Sequence, residues 1–97
     1  MLTEEMLREQ AGEEIFARGS AIFHRALVRE ARRVRDEQRD EAYYIVSGDE
    51  RHIVVVSAGQ IRCDCDCYPC AHSVAAALTA LESGVIQDME KDRKSVV

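Results

Sequence analysis

Four cysteines fall within one run of eight residues, Cys63, Cys65, Cys67 and Cys70, and His72 follows two positions later. The chain has 97 residues and no other cysteine. Thiolate sulfur and imidazole nitrogen are the ligands zinc prefers, four of them in a tetrahedron. Cysteines that build a disulfide scaffold are spread out so that each bridge closes a long loop. A cluster this tight beside a histidine points instead to a metal ion in a reducing compartment. The expectation is therefore a cytoplasmic protein holding one structural zinc ion.

Five candidate ligands compete for four positions. The first set is Cys63, Cys65, Cys70 and His72. Cys63 and Cys65 would sit at a strand end or the turn after it, and Cys70 and His72 at the entry to a helix, so that the ion pins a hairpin to that helix. Cys67 stands three residues before Cys70, itself good zinc spacing, so a rival set exchanges Cys63 or Cys65 for Cys67. Three thiolates and a neutral imidazole on zinc leave a net −1 cluster, to which Asp64 and Asp66 add, so the knuckle is a poor seat for phosphate. Four protein ligands leave no position for water, and hydrolysis is not expected. A Cys70–His72 nucleophile pair lacks an orienting third group. Thiol redox through Cys65–Cys67 or Cys67–Cys70 is a further alternative. Asp64 and Asp66 read as solvated spacers, and His24 and His52 as ordinary surface or turn residues.

The elements that must position these ligands give an α+β domain. It has an N-terminal helix, a small antiparallel sheet, then the zinc-clamped hairpin and a C-terminal helix. Thr3 is a fitting N-cap for a first helix, with Glu4 and Glu5 near its positive end. Gly19 is a candidate stop, and Ser20 to Phe23 a further short turn or helix. Residues 26–35 suit a helix by propensity, yet the spacing of Val28 and Val34 also fits a strand. Tyr43 to Ser47 and Ile53 to Ser57 read as strands, with turns at Gly48-Asp49 and Ala58-Gly59-Gln60. Ile61 to Cys63 begins a short third strand. Pro69 sits where a helix can start, and from about Cys70 to Ser83 the chain is rich in Ala and Leu, with Gly84 to end it. The chain then divides into a helical segment, 1–25, a sheet with the metal finger, 26–84 (finger core 61–83), and a polar flexible tail, 85–97, within one domain.

At the cysteine cluster the sequence resembles the SWIM zinc finger, whose pattern is Cys-x-Cys, a variable gap, then Cys-x-His. Cys63, Cys65, Cys70 and His72 fill that pattern. The run Cys70-Ala71-His72-Ser73-Val74-Ala75-Ala76-Ala77-Leu78 resembles the family's helix start. Phe16-Ala17-Arg18-Gly19, with Phe23 and Val28, resembles the segment that precedes the finger in bacterial and archaeal members, where a helix is followed by a strand. That resemblance tilts residues 26–35 towards strand. The gap of four residues is short for the family, and Cys67 is an addition inside it. The resemblance implies DNA binding or protein–protein interaction, here by a small stand-alone adaptor rather than an enzyme.

The partner is expected to be DNA or a protein, with no membrane and no small-molecule substrate. No apolar run approaches the ~20 residues a span needs. The net charge is −5, which disfavours a general nucleic-acid coat, but the charge is segregated. Residues 1–15 carry five acids and one Arg, net −4; residues 16–39 carry seven Arg and three acids, net +4. Arg25, Arg29, Arg32, Arg33 and Arg35 are the nucleic-acid candidates. On a helix Arg25, Arg29, Arg32 and Arg33 would share a face; on a strand Arg29, Arg33 and Arg35 would, with Arg32 opposite. The competing protein surface is the helix bearing Ala75, Ala76, Ala77 and Ala80, small enough for close approach of another helix.

Overall fold

In the computed structural model, which describes residues 2–48, 50–57, 60–65 and 69–89, the order of elements is two helices, four strands and a helix. α1 is Glu4–Ala11 and α2 Glu13–His24; β1 is Val28–Arg35, β2 Asp40–Ser47, β3 Arg51–Ser57 and β4 Gln60–Cys63; α3 is Ala71–Glu82. The strands form one antiparallel sheet in the order β1-β2-β3-β4. The α+β class expected from the sequence is the one observed.

Thr3 caps α1 as expected, its Oγ1 accepting the Met6 amide. The break after α1 is at Gly12, whose φ of +83° suits glycine. Gly19 is no stop: it lies within α2, buried where α2 crosses α3. A Cβ there would stand 2.5 Å from Val74 Cβ and 2.8 Å from the Ala71 carbonyl oxygen. Glycine is required by the closeness of the two helices, not by a turn.

Residues 28–35 are strand, against their helical propensity, because pairing with β2 decides the matter. A β-bulge between Glu30 and Arg32 inserts one residue and shifts the side-chain alternation. Val28, Glu30, Arg33 and Arg35 therefore pair with Val46, Tyr44, Ala42 and Asp40 on the helix side of the sheet. Arg29, Arg32 and Val34 pair with Ile45, Tyr43 and Glu41 on the other. The strand parity expected for the arginines is corrected accordingly: Arg29 goes with Arg32, and Arg33 with Arg35.

α3 covers the helix side. Ala42, Tyr44, Val46, Val54, Val56 and Cys63 pack with Ala75, Ala76 and Ala80 in one buried cluster. Leu7, Phe16, Val74, Ala77 and Leu78 form a second, where α1 and α2 lie on α3. The expected polar tail is corrected at its start, since residues 85–89 form a helical turn. Val85, Ile86 and Met89 of that turn are buried in the first cluster. Their spacing is helical, and they share that cluster with Ala42, Tyr44 and Val46 of β2. Residues 90–97 lie outside the described residues, as do Asp49, Ala58 and Gly59 of the expected turns.

Candidate metal centre

β4 ends at Cys63, a turn carries Asp64 and Cys65, and α3 begins just after Cys70. Antiparallel pairing sets Cys63 opposite Val54, on the buried face, so its sulfur points under the sheet towards α3. Cys70 is the N-cap of α3 and His72 lies in its first turn. The Cys70 sulfur accepts the Ser73 amide and the Ser73 hydroxyl accepts the Cys70 amide, at 3.4 and 3.0 Å, a reciprocal capping box. Ser73 is fully buried with its hydroxyl satisfied, donating to the Cys70 carbonyl at 2.8 Å. Pro69 thus precedes the cap rather than opening the helix.

These elements bring together the ligand atoms of Cys63, Cys65, Cys70 and His72, all within 4.8 Å of one another. Cys63 Sγ is 3.3 Å from Cys65 Sγ, Cys65 Sγ 3.7 Å from Cys70 Sγ, and Cys63 Sγ 3.9 Å from His72 Nδ1. A tetrahedron with metal–sulfur bonds of about 2.3 Å has edges of about 3.8 Å. The separations fit a metal ion and far exceed a disulfide bond, which is about 2.05 Å. The three cysteines are free. The four residues can hold a metal ion as they stand. Cys67 and Asp66 lie outside the described residues.

The electrostatics suit a cation. Burial pushes the Cys63 thiol far above its usual range, and burial pushes the His72 imidazole below its own. The neutral imidazole is the form that ligates. A buried thiol resists ionisation unless a positive ion replaces its proton. The Cys70 sulfur also lies at the positive end of α3.

His52 and Asp64 are the residues the sequence reading missed. His52 is on β3, not in a turn, and its side chain is 17% exposed. Its ring stacks on that of His72, centroids 3.8 Å apart at 25°. His52 Nδ1 is 2.8 Å from Asp64 Oδ1, and Asp64 Oδ2 accepts the Ile53 amide at 3.1 Å. The Asp64 amide in turn donates to the Ile53 carbonyl. Asp64 is therefore no idle spacer: it ties the turn that carries Cys65 to β3. The hydrogen bond from His52, with that from the Ile53 amide, holds its carboxyl below the usual carboxylate range. His52, Cys63 and Asp64 also lie close enough to form a second set of potential ligands. The signal was in the hairpin register: continuing the Val54–Cys63 pairing by two residues puts His52 opposite Cys65. His24, by contrast, is exposed at the end of α2 beside Phe23.

The arginines divide. Arg33 Nε is 2.9 Å from Asp40 Oδ1 and Arg33 Nη2 3.5 Å from Asp88 Oδ2; Arg35 also reaches Asp88, at 3.3 Å. These two are committed to the fold. Arg25, Arg29 and Arg32 are exposed and have no ion pair among the described residues. The Ala-rich helix is spent internally as well, since Ala75, Ala76, Ala77 and Ala80 are fully buried. No helix among the described residues is long and apolar enough to cross a membrane. Comparison with family models, with curated proteins and with solved structures finds no match to the chain.

Proposed function

We propose that the chain is a small SWIM-type module in which Cys63, Cys65, Cys70 and His72 hold one structural zinc ion, and that it serves as an adaptor for DNA or a protein. The closeness of three sulfurs and one imidazole nitrogen, all within 4.8 Å, carries the reading. Zinc in that site supplies a rigid, four-fold cross-link between the β4 turn and the start of α3. The chain's own residues aim the ligands: β3 pairing aims Cys63, the capping box aims Cys70, and Asp64 with His52 steadies the turn and the His72 ring. With every position taken by protein, the ion has a folding role and not a catalytic one.

Metal analysis tests this directly. One equivalent of zinc is expected in the purified protein, lost in Cys70→Ser and His72→Ala and kept in Cys67→Ser. Metal-free protein that stays cooperatively folded in strong chelator overturns the reading. Zinc lost in Cys67→Ser but kept in Cys65→Ser replaces the ligand set with the one containing Cys67.

DNA stands as a second reading because Arg25, Arg29 and Arg32 are exposed without ion pairs among the described residues. Phosphate contacts would make retention on mixed DNA fall steeply with salt. Absence of retention at about 50 mM salt leaves the protein partner.

A further inference from the structure

The helices cover one face of the sheet only. The opposite face presents Val34 on β1, Tyr43 and Ile45 on β2, and Ile53 and Val55 on β3, and no described helix packs on it. Ile53 is 46% exposed, with Met6 one of two exposed large hydrophobic residues among those described. Arginines frame this strip: Arg29 and Arg32 on β1, Arg51 at the start of β3, and Arg62 on β4. Among the described strand residues Glu41 is the one acid on this face. Its side chain is 13% exposed and is bridged by Arg39 and Arg62, at 3.8 and 3.4 Å. The β1 bulge is what places both Arg29 and Arg32 here. The face is thus basic on a chain whose net charge is −5.

We infer that this face docks an acidic amphipathic helix of a partner protein, an inference that rests on the adaptor reading above. An apolar centre with an arginine rim is the anatomy of a protein interface. A helix laid on the bare side completes the layering that α3 begins on the other. Its carboxylates would meet Arg29, Arg32 and Arg51, Arg62 being held by Glu41, while its apolar stripe covers Ile45, Ile53 and Val55. A single strand of nucleic acid fits less well, since bases need aromatic platforms and the centre is aliphatic, with Tyr43 the one ring. A second copy docked by the same face would set arginine against arginine.

The probe is a labelled, designed helical peptide of about 18 residues, with leucines along one face and glutamates flanking them, titrated against the zinc-loaded full chain. Saturable binding is expected, weakened about tenfold or more by Arg29→Glu with Arg32→Glu and by Ile53→Asp, and weakened by salt. Four results each overturn the inference: no binding; equal binding of the peptide with lysine for glutamate; a short oligo(dT) bound in its place and lost in the same variants; or self-association lost in those variants. Zinc content and thermal melting are measured on each protein. Normal values with no peptide binding confine the failure to this surface, whereas a wild-type protein without zinc removes the adaptor reading itself.

Discussion

The two ends of α3 are fastened to the sheet by different chemistry. At the N-terminal end, Cys70 and His72 meet Cys63 and Cys65 in a cluster of soft ligands whose donor atoms all lie within 4.8 Å of one another. At the other, the turn after α3 sends Asp88 to Arg33 and Arg35 on the edge strand. The first arrangement requires all four ligands and is worthless with three thiols left protonated. The second is graded, because Asp88 is 47% exposed, Asp40 shares the same arginines, and salt screens the pair. Hydrophobic burial of Val85, Ile86 and Met89 backs the second end and not the first. The metal end should therefore fail abruptly and the ion-pair end gradually.

On the zinc reading proposed above, removal of the metal gives the largest expected effect. Structural zinc contributes on the order of 10 kcal/mol to folding, comparable with the whole stability of a small domain. Chelation, or His72→Ala, is expected to abolish cooperative thermal melting. If any structure survives, amide exchange should speed up first in β4 and the start of α3 and last in β1 and β2. Loss in the reverse order would mean that the ion pairs and not the metal site secure the helix.

Gly19 probes the middle of the helix, between the two fastenings. Gly19→Ala improves helix propensity by about 1 kcal/mol, yet its Cβ would meet Val74 Cβ at 2.5 Å and the Ala71 carbonyl oxygen at 2.8 Å. Backbone cannot yield as a flexible side chain does. A net destabilisation of about 1–3 kcal/mol is expected from denaturant unfolding of the metal-loaded protein. Zinc affinity should fall too, since Ala71 lies between two ligands. An unchanged midpoint would show that α2 can slide on α3.

These two sites also mark what was legible in the sequence. The ligand cluster could be read because its members lie within ten residues of one another, so local spacing carries the chemistry. The strands at residues 43–47 and 53–57 were legible through their β-branched runs, and α3 through its composition. Gly19 was misread because a glycine inside a helix and a glycine that stops one look alike until the partner helix is known. The bulge at β1 was hidden for the same reason: a single added residue exchanges the faces of every arginine beyond it, and only the partner strand reveals it. Asp88 lies 55 residues from Arg33, so no local pattern could join them. The burial of Val85, Ile86 and Met89 was obscured by the charged residues that follow.

His52 sharpens the account of the metal end. It is no member of the four-residue set, but it stacks on His72 and binds Asp64. Residues that orient ligands in this way typically alter metal affinity about 10- to 100-fold when removed. His52→Ala is expected to loosen zinc within that range, in competition with a chromophoric chelator, while leaving its stoichiometry at one. Asp64→Asn should act in the same direction, since the amide keeps the shape of the carboxylate but not its charge. A His52→Ala protein with unaltered affinity would reduce the stacked pair to packing.

The smallest effect belongs to the other end of the helix. Asp88→Asn removes one charge from a group of four in which Asp40 remains with Arg33 and Arg35, and Asp40 is the larger influence on Arg33, whose charged form it stabilises by a direct hydrogen bond. The lost attraction is discounted further by the exposure of Asp88. A destabilisation of about 0.5 kcal/mol is expected, vanishing in high salt, where the wild-type and variant melting curves should coincide. Asp40→Asn should cost more, because its side chain is only 23% exposed and Arg33 would lose its nearest partner. If instead Asp88→Asn proves as damaging as Cys70→Ser, the contrast between the two ends fails, and Asp88 holds down the buried turn of Val85, Ile86 and Met89 as firmly as the proposed metal would hold the start of α3.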